Sequence, residues 1–255
     1  MDWSKAKNIL IMALLITNLV LGVAIYYGQS DDAGVDHEEI RTNTILLLAQ
    51  HDIFVEEDQV SVRTERLPVL SVRYRIVDGD RSEAAIRESQ IQLEKDATDH
   101  EYDQAAKTLM KTAGITGDYF WLEGITREED QVIVTYGVEY DDYALDNSKL
   151  NVSFQNGIPT TMDHNWAEPI SMGQNKKQVS TASTALIKFM TVMEKEALEQ
   201  RPEFQREPIH IEDMGLVYWL EGYTDNDGVS EDTAVPYWCI CYNQGQKAYI
   251  AAYEE

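Results

Sequence analysis

The chain has 255 residues and carries 45 acidic side chains against 21 basic ones, a net charge of −24. Such a surface repels phosphate backbones and anionic headgroups, which argues against nucleic-acid binding and peripheral membrane binding. The acids are scattered along the sequence, so solubility in a salty or alkaline exterior explains them more simply than a basic partner or loosely held divalent cations.

The first element is apolar. Ile9–Tyr27 reads ILIMALLITNLVLGVAIYY, without a charge, and a helix crossing the hydrocarbon core needs about 20 such residues. A secretory signal has a shorter apolar region, about 7–15 residues, ending in small residues. This run ends instead in Tyr26-Tyr27, a pair suited to the membrane interface. Ala24 and Gly28 leave cleavage as the competing reading. Lys5 and Lys7 precede the run and Asp31 and Asp32 follow it. Positive residues stay inside, so residues 1–28 are expected to form a cytoplasmic stub and a transmembrane anchor in the cell membrane, with the remainder extracytoplasmic. Within the helix, Asn18 falls mid-membrane, where an unpaired amide is costly. Asn18 and Gly22 are four apart, as are Ala13 and Thr17, which marks Ala13, Thr17, Asn18 and Gly22 as a candidate contact with a partner helix. The alternative is that Asn18 bonds its own helix or faces lipid.

Residues 29–36 are a polar tether. Ile40, Thr44, Leu47 and Leu48 recur at helical spacing, predicting a helix over Glu38–Gln50. Strands are expected at Gln59–Thr64 and Val69–Val77. In the second, Leu70, Val72, Tyr74 and Ile76 share the core face, and Asp78-Gly79-Asp80 then turns the chain. Apolar spacing predicts helices over Tyr102–Ala113 and Ser180–Glu199, the latter with Ala182, Leu186, Phe189, Met190, Met193 and Ala197 in one stripe. Gln131–Tyr140 reads as a strand, and Leu150–Met162 as a hairpin turning at Asn156-Gly157. Tyr237–Tyr242 and Lys247–Tyr253 flank a turn at Asn243–Gln246.

One pattern repeats: Phe120-Trp121-Leu122-Glu123-Gly124 recurs as Tyr218-Trp219-Leu220-Glu221-Gly222, each copy after a predicted helix and before predicted strands. The expected class is therefore α+β, with antiparallel sheets and packed helices in two related helix-then-three-strand units. These occupy an α+β region at 37–165 and a second at 166–255. Trp121 and Trp219 are expected to fill the gap between helix and sheet. The Glu-Gly pairs are expected to close their strands into turns. A Glu123/Glu221 acid–base pair is the sharper alternative, but nothing in the sequence brings them together.

No catalytic signature survives inspection: there is no nucleophile elbow, zinc-protease motif, P-loop or dinucleotide-binding glycine pattern. The five histidines are widely spread. Asp225-Asn226-Asp227-Gly228 fails as a calcium loop, since Tyr223 and Ala234 stand where acids belong. Cys239 and Cys241 share a strand face without further ligands at zinc spacing. The chain is expected to be no enzyme, with no catalytic residue, no cofactor and no metal.

Met1-Asp2-Trp3-Ser4-Lys5-Ala6-Lys7, running straight into one apolar helix with an acidic domain beyond it, resembles the YycI (WalI) family. These are membrane-anchored regulators of the WalK/WalR (YycG/YycF) two-component system of low-GC Gram-positive bacteria, which governs cell-wall metabolism. The resemblance implies two partners, the sensor histidine kinase WalK and the sister protein YycH, and an action exerted through the anchor helix. It leaves open the sign of that action. A cell-envelope scaffold with the same topology but no kinase partner is the alternative, and an envelope hydrolase a third.

Overall fold

The computed structural model describes residues 37–76, 79–94, 96–163, 165–200, 207–221 and 231–253. The expected anchor and tether lie outside them, and among the described residues no helix is long and apolar enough to cross a membrane. In chain order the elements are α1 (His37–Gln50), β1 (Ile53–Phe54), β2 (Arg66–Leu67), β3 (Leu70–Ile76), α2 (Gly79–Glu88), α3 (Asp99–Ala113), β4 (Phe120–Glu128) and β5 (Gln131–Tyr140). There follow β6 (Tyr143–Gln155), β7 (Ile158–Met162), β8 (Asn165–Met172), β9 (Lys177–Gln178), α4 (Ala182–Gln200), β10 (Ile209–Trp219), β11 (Glu231–Tyr242) and β12 (Gln246–Ala251). The class is α+β.

Ten strands join in one antiparallel-dominated sheet of order β4-β5-β6-β10-β11-β3-β8, with β1 on β10, β12 on β11 and β7 on β6; β2 and β9 pair separately. β11 forks. Its first residues, Glu231–Ala234, pair with β3, and the rest pair with β10 on one side and β12 on the other. The described residues from Thr44 onward belong to one compact unit. The 165/166 division therefore does not separate two bodies, because β3 from before it pairs with β8 and β11 from after it.

The sheet's core comes from strand alternation. Val132, Val134, Tyr136 and Val138 of β5, with Leu145, Leu150, Val152 and Phe154 of β6, face α3 through Ala105, Ala106, Leu109 and Met110. Trp238 and Ile240 of β11 and Ile250 of β12 face α4 through Leu186, Phe189 and Met190. Tyr143 packs against both groups, and its ring meets Tyr218 edge-on at 5.9 Å. α3 begins in a capping box, Thr98 with Glu101, and ends at Gly114 with φ 85°, so the Thr98 and Glu101 N–H groups and the Met110 and Lys111 carbonyls find local partners.

The Asn156-Gly157 hairpin forms as expected, with φ of 51° and 77°. Gly157 is obligatory twice over: a Cβ there would also lie 2.2 Å from the Leu93 carbonyl oxygen. The β5–β6 turn has the same geometry with unsuited residues. Asp141 and Asp142 stand at φ 52° and 67° between the paired Tyr140 and Tyr143, where a side chain is disfavoured. Asp141→Asn with Asp142→Gly is expected to stabilise the protein by about 0.5 kcal/mol in thermal or urea unfolding. A loss of stability would mean that the two carboxylates make contacts outweighing the backbone cost.

Several expectations fail locally. Gln59–Thr64 is no strand: a 3-10 turn covers Glu57–Gln59, and pairing starts only at Arg66. Gly79 and Asp80 open α2 rather than a turn. Ile76 is 74% exposed because β3 outruns the core at that end. Gly124 lies inside β4 at a register shift, not in a turn. The pentapeptide opens β4 but closes β10, so the two copies are not equivalent positions of a repeat. A helix followed by antiparallel strands does occur twice: α3 is followed by the meander β4–β7 and then by β8 and β9, and α4 by the three strands β10–β12. Neither Trp121 nor Trp219 fills a helix–sheet gap, since both lie on the opposite side of the sheet from α3 and α4.

Candidate functional site

Helices cover one face of the central strands. Residues that alternate with the helix-facing ones therefore gather on the other face. The register sets Trp121 of β4 beside Gly137 of β5, and Gly137 beside Lys149 of β6. Further across, Gly215 of β10 stands beside Cys239 of β11, and Cys239 beside Tyr249 of β12. Tyr237, Cys241 and Lys247 share that side.

The centre of this face is a bulge in β6. Pairing with β5 jumps from Gly137↔Lys149 to Val138↔Leu145, leaving Asp146, Asn147 and Ser148 without partners there. Each binds a different segment instead. The Asn147 amide donates to the Leu220 carbonyl at 2.8 Å and accepts from the Leu220 N–H at 3.1 Å, replacing a missing ladder step. Ser148 Oγ accepts from the Ala167 N–H of β8 at 2.9 Å. The Asp146 carboxylate accepts from Lys247 Nζ at 3.0 Å and from the Tyr249 hydroxyl. Three consecutive polar side chains thus tie β6 to β8, to β12 and to Leu220, the residue that follows β10.

Asp146 is 9% exposed at its side chain. Burial alone would raise its carboxyl, but the hydrogen bonds from Tyr249 and Lys247 outweigh that and hold it below the usual carboxylate range. Burial likewise opposes the charge on Lys247, and Asp146 overcomes it, so the ammonium sits above its ordinary value. Burial pushes the Cys239 thiol up to about 12, with Cys241 and Asp146 adding to it. A thiol in that state is a poor nucleophile at neutral pH. Both cysteines are free, on one strand face as the C-x-C spacing predicts.

Aromatic rings flank the polar centre. Trp219 lies 4.0 Å from Tyr249 between ring centroids and 6.3 Å from Tyr237. Tyr237 donates to the Glu221 carboxylate. On the far side Trp121, 38% exposed, lies so close over Gly137 that a Cβ there would sit 2.5 Å from the indole nitrogen. Glu123 accepts from Lys149. Both pentapeptides therefore deliver a Trp and, two residues on, a Glu to one face, although they enter it from opposite ends of their strands. W-x-E at strand spacing was the signal for this, since residues two apart share a face whatever the strand's direction.

The candidate membrane contact residues Ala13, Thr17, Asn18 and Gly22 lie outside the described residues. Glu123 and Glu221 share the face but bind different partners, Lys149 and Tyr237, and no contact joins them. Among the described residues no group of three or more His, Cys, Asp or Glu is placed to hold a metal. Neither a known family model nor a curated protein matches this chain.

Proposed function

We propose that this protein is a membrane-anchored regulator of the YycI (WalI) kind, which modulates a WalK-like (YycG-like) sensor kinase of cell-wall metabolism through contacts of its transmembrane helix, alongside a YycH-like partner. The observation that carries the reading is the N-terminus: Met1–Lys7 leading into the uncharged run Ile9–Tyr27, with Asn18 at its middle. Coupling works because a ligand or partner that prefers one of two helix arrangements shifts their populations by its differential affinity. Intramembrane polar contacts contribute about 0.6–2 kcal/mol, enough to change a balanced equilibrium several-fold without locking it.

Replacing both Asn18 and Gly22 by Leu is expected to reduce kinase co-purification and alter WalR-dependent transcription several-fold at normal protein levels. Unchanged association and unchanged output would sink the anchor-contact reading. The open aromatic face favours a second reading, a cell-envelope scaffold without a kinase partner. Exporting residues 29–255 without the anchor separates the two. Regulation retained by the free domain supports the scaffold, and regulation lost with the anchor supports the modulator.

A further inference from the structure

We propose that the Trp219 end of the open face receives an ammonium or guanidinium side chain from a basic segment of a partner protein. The rings of Trp219, Tyr237 and Tyr249 cluster there, and aromatic faces attract cations. The Glu221 carboxylate stands beside them, and among the described residues its hydrogen-bond partner is the neutral Tyr237 hydroxyl. A carboxylate with one neutral donor keeps its charge and most of its acceptor positions. Two carboxylates at the centre of the face are differently placed: Glu123 is paired with Lys149 and Asp146 with Lys247. The centre of the face is thus internally neutral; the exposed Asp213 carboxylate lies further along the same side, beside Cys241, and Glu221 is the carboxylate bonded to a ring of the cluster.

Further along the same face, a Cβ on Gly215 would touch nothing within 4 Å, so the strand is uncovered at that position. The long-range field points the same way: a net charge of −24 draws cations in and keeps anions out. A neutral glycan could stack on the same rings but would draw nothing from Glu221 or from the field, so the cationic segment is the occupant the observations favour. Such a segment would give the proposed regulator a second contact with its partner, outside the membrane. The inference rests on that reading only in supposing a protein partner, and its test involves neither the anchor nor the kinase.

The test is calorimetric titration of the full-length chain with the peptide acetyl-Gly-Arg-Gly-Arg-Gly-amide at about 0.15 M salt, where exposed charges more than ~8 Å apart are screened. Trp219→Leu and Glu221→Gln are each expected to weaken binding about tenfold. Trp219→Tyr, which keeps a ring in the stack, should restore most of it. Glu128→Gln, which removes an exposed carboxylate elsewhere in the sheet, should change binding less than about twofold. Equal weakening by Glu128→Gln and Glu221→Gln would reduce the attraction to diffuse charge and overturn the proposal. So would failure of the peptide to bind the wild-type chain. Binding of chitohexaose that depends on Trp219 and not on Glu221 would overturn it in favour of a glycan platform. Loss of anchor-dependent regulation, by contrast, would leave the peptide result unchanged.

Discussion

Replacing Tyr218 by Ala is expected to lower the unfolding free energy by about 4 kcal/mol, a fall of roughly 10 °C in Tm. The ring is fully buried where three parts of the sheet meet. Its backbone is the register partner of Leu145 on β6 and of Pro236 on β11. Its ring packs edge-on against Tyr143, and its hydroxyl donates to the Pro68 carbonyl at 2.9 Å, just before β3. Removing the ring leaves a cavity that strands fixed on several sides cannot close. Tyr218→Phe keeps the packing and leaves the Pro68 carbonyl without its donor, for about 1–2 kcal/mol. Urea unfolding at constant m value measures both. Equal costs for the two variants, or less than about 2 kcal/mol for Ala, would show that the joint is held elsewhere.

What the sequence made legible follows from where local rules act alone. Gln131–Tyr140 alternates cleanly and is β5 as expected. The Asn156-Gly157 turn is required by backbone angle and closes β6 onto β7. The stripe Ala182, Leu186, Phe189, Met190 and Met193 is the buried side of α4. Features set by partners distant in sequence could not be read this way. Asp146-Asn147-Ser148 looks locally like a turn, yet it sits within a strand because β12, Leu220 and β8 supply the partners that β5 does not. α2 is not legible in the sequence, because Asp78-Gly79-Asp80 carries a strong turn signal and its ten residues include few apolar ones. The candidate site was half visible. The pentapeptide match singles out Trp121, Glu123, Trp219 and Glu221, but only the sheet's one-sided cover shows that they face outward together.

Asp146→Ala is expected to cost about 3 kcal/mol near pH 7, because it strands Lys247 and the Tyr249 hydroxyl around a mostly buried position. The cost is kept from the upper range by Lys247, which is 34% exposed at its side chain and can turn to water. The pH dependence identifies the charge as the cause. The folded Asp146 carboxyl titrates below its ordinary range, so its contribution is complete above the unfolded value of about 3.9 and fades as pH falls through the lower folded value. Lys247 is raised, so its share is complete below about 10.4 and fades as pH rises through the higher folded value. The wild-type advantage over Asp146→Ala should therefore be full between about pH 5 and pH 9 and shrink in strong acid. A penalty of the same size at pH 7 and at pH 2 would mean that Asp146 acts through shape rather than charge. Asp146→Leu with Lys247→Met replaces the pair by apolar side chains and should recover much of the loss, since removing both charges leaves neither stranded. The doubly substituted chain also isolates what the pair does for the site: Tyr249 would keep its place in the sheet but lose the carboxylate that orients its ring under Trp219. A changed Trp219 stack in a chain of restored stability would show that this buried ion pair sets the geometry of the aromatic end.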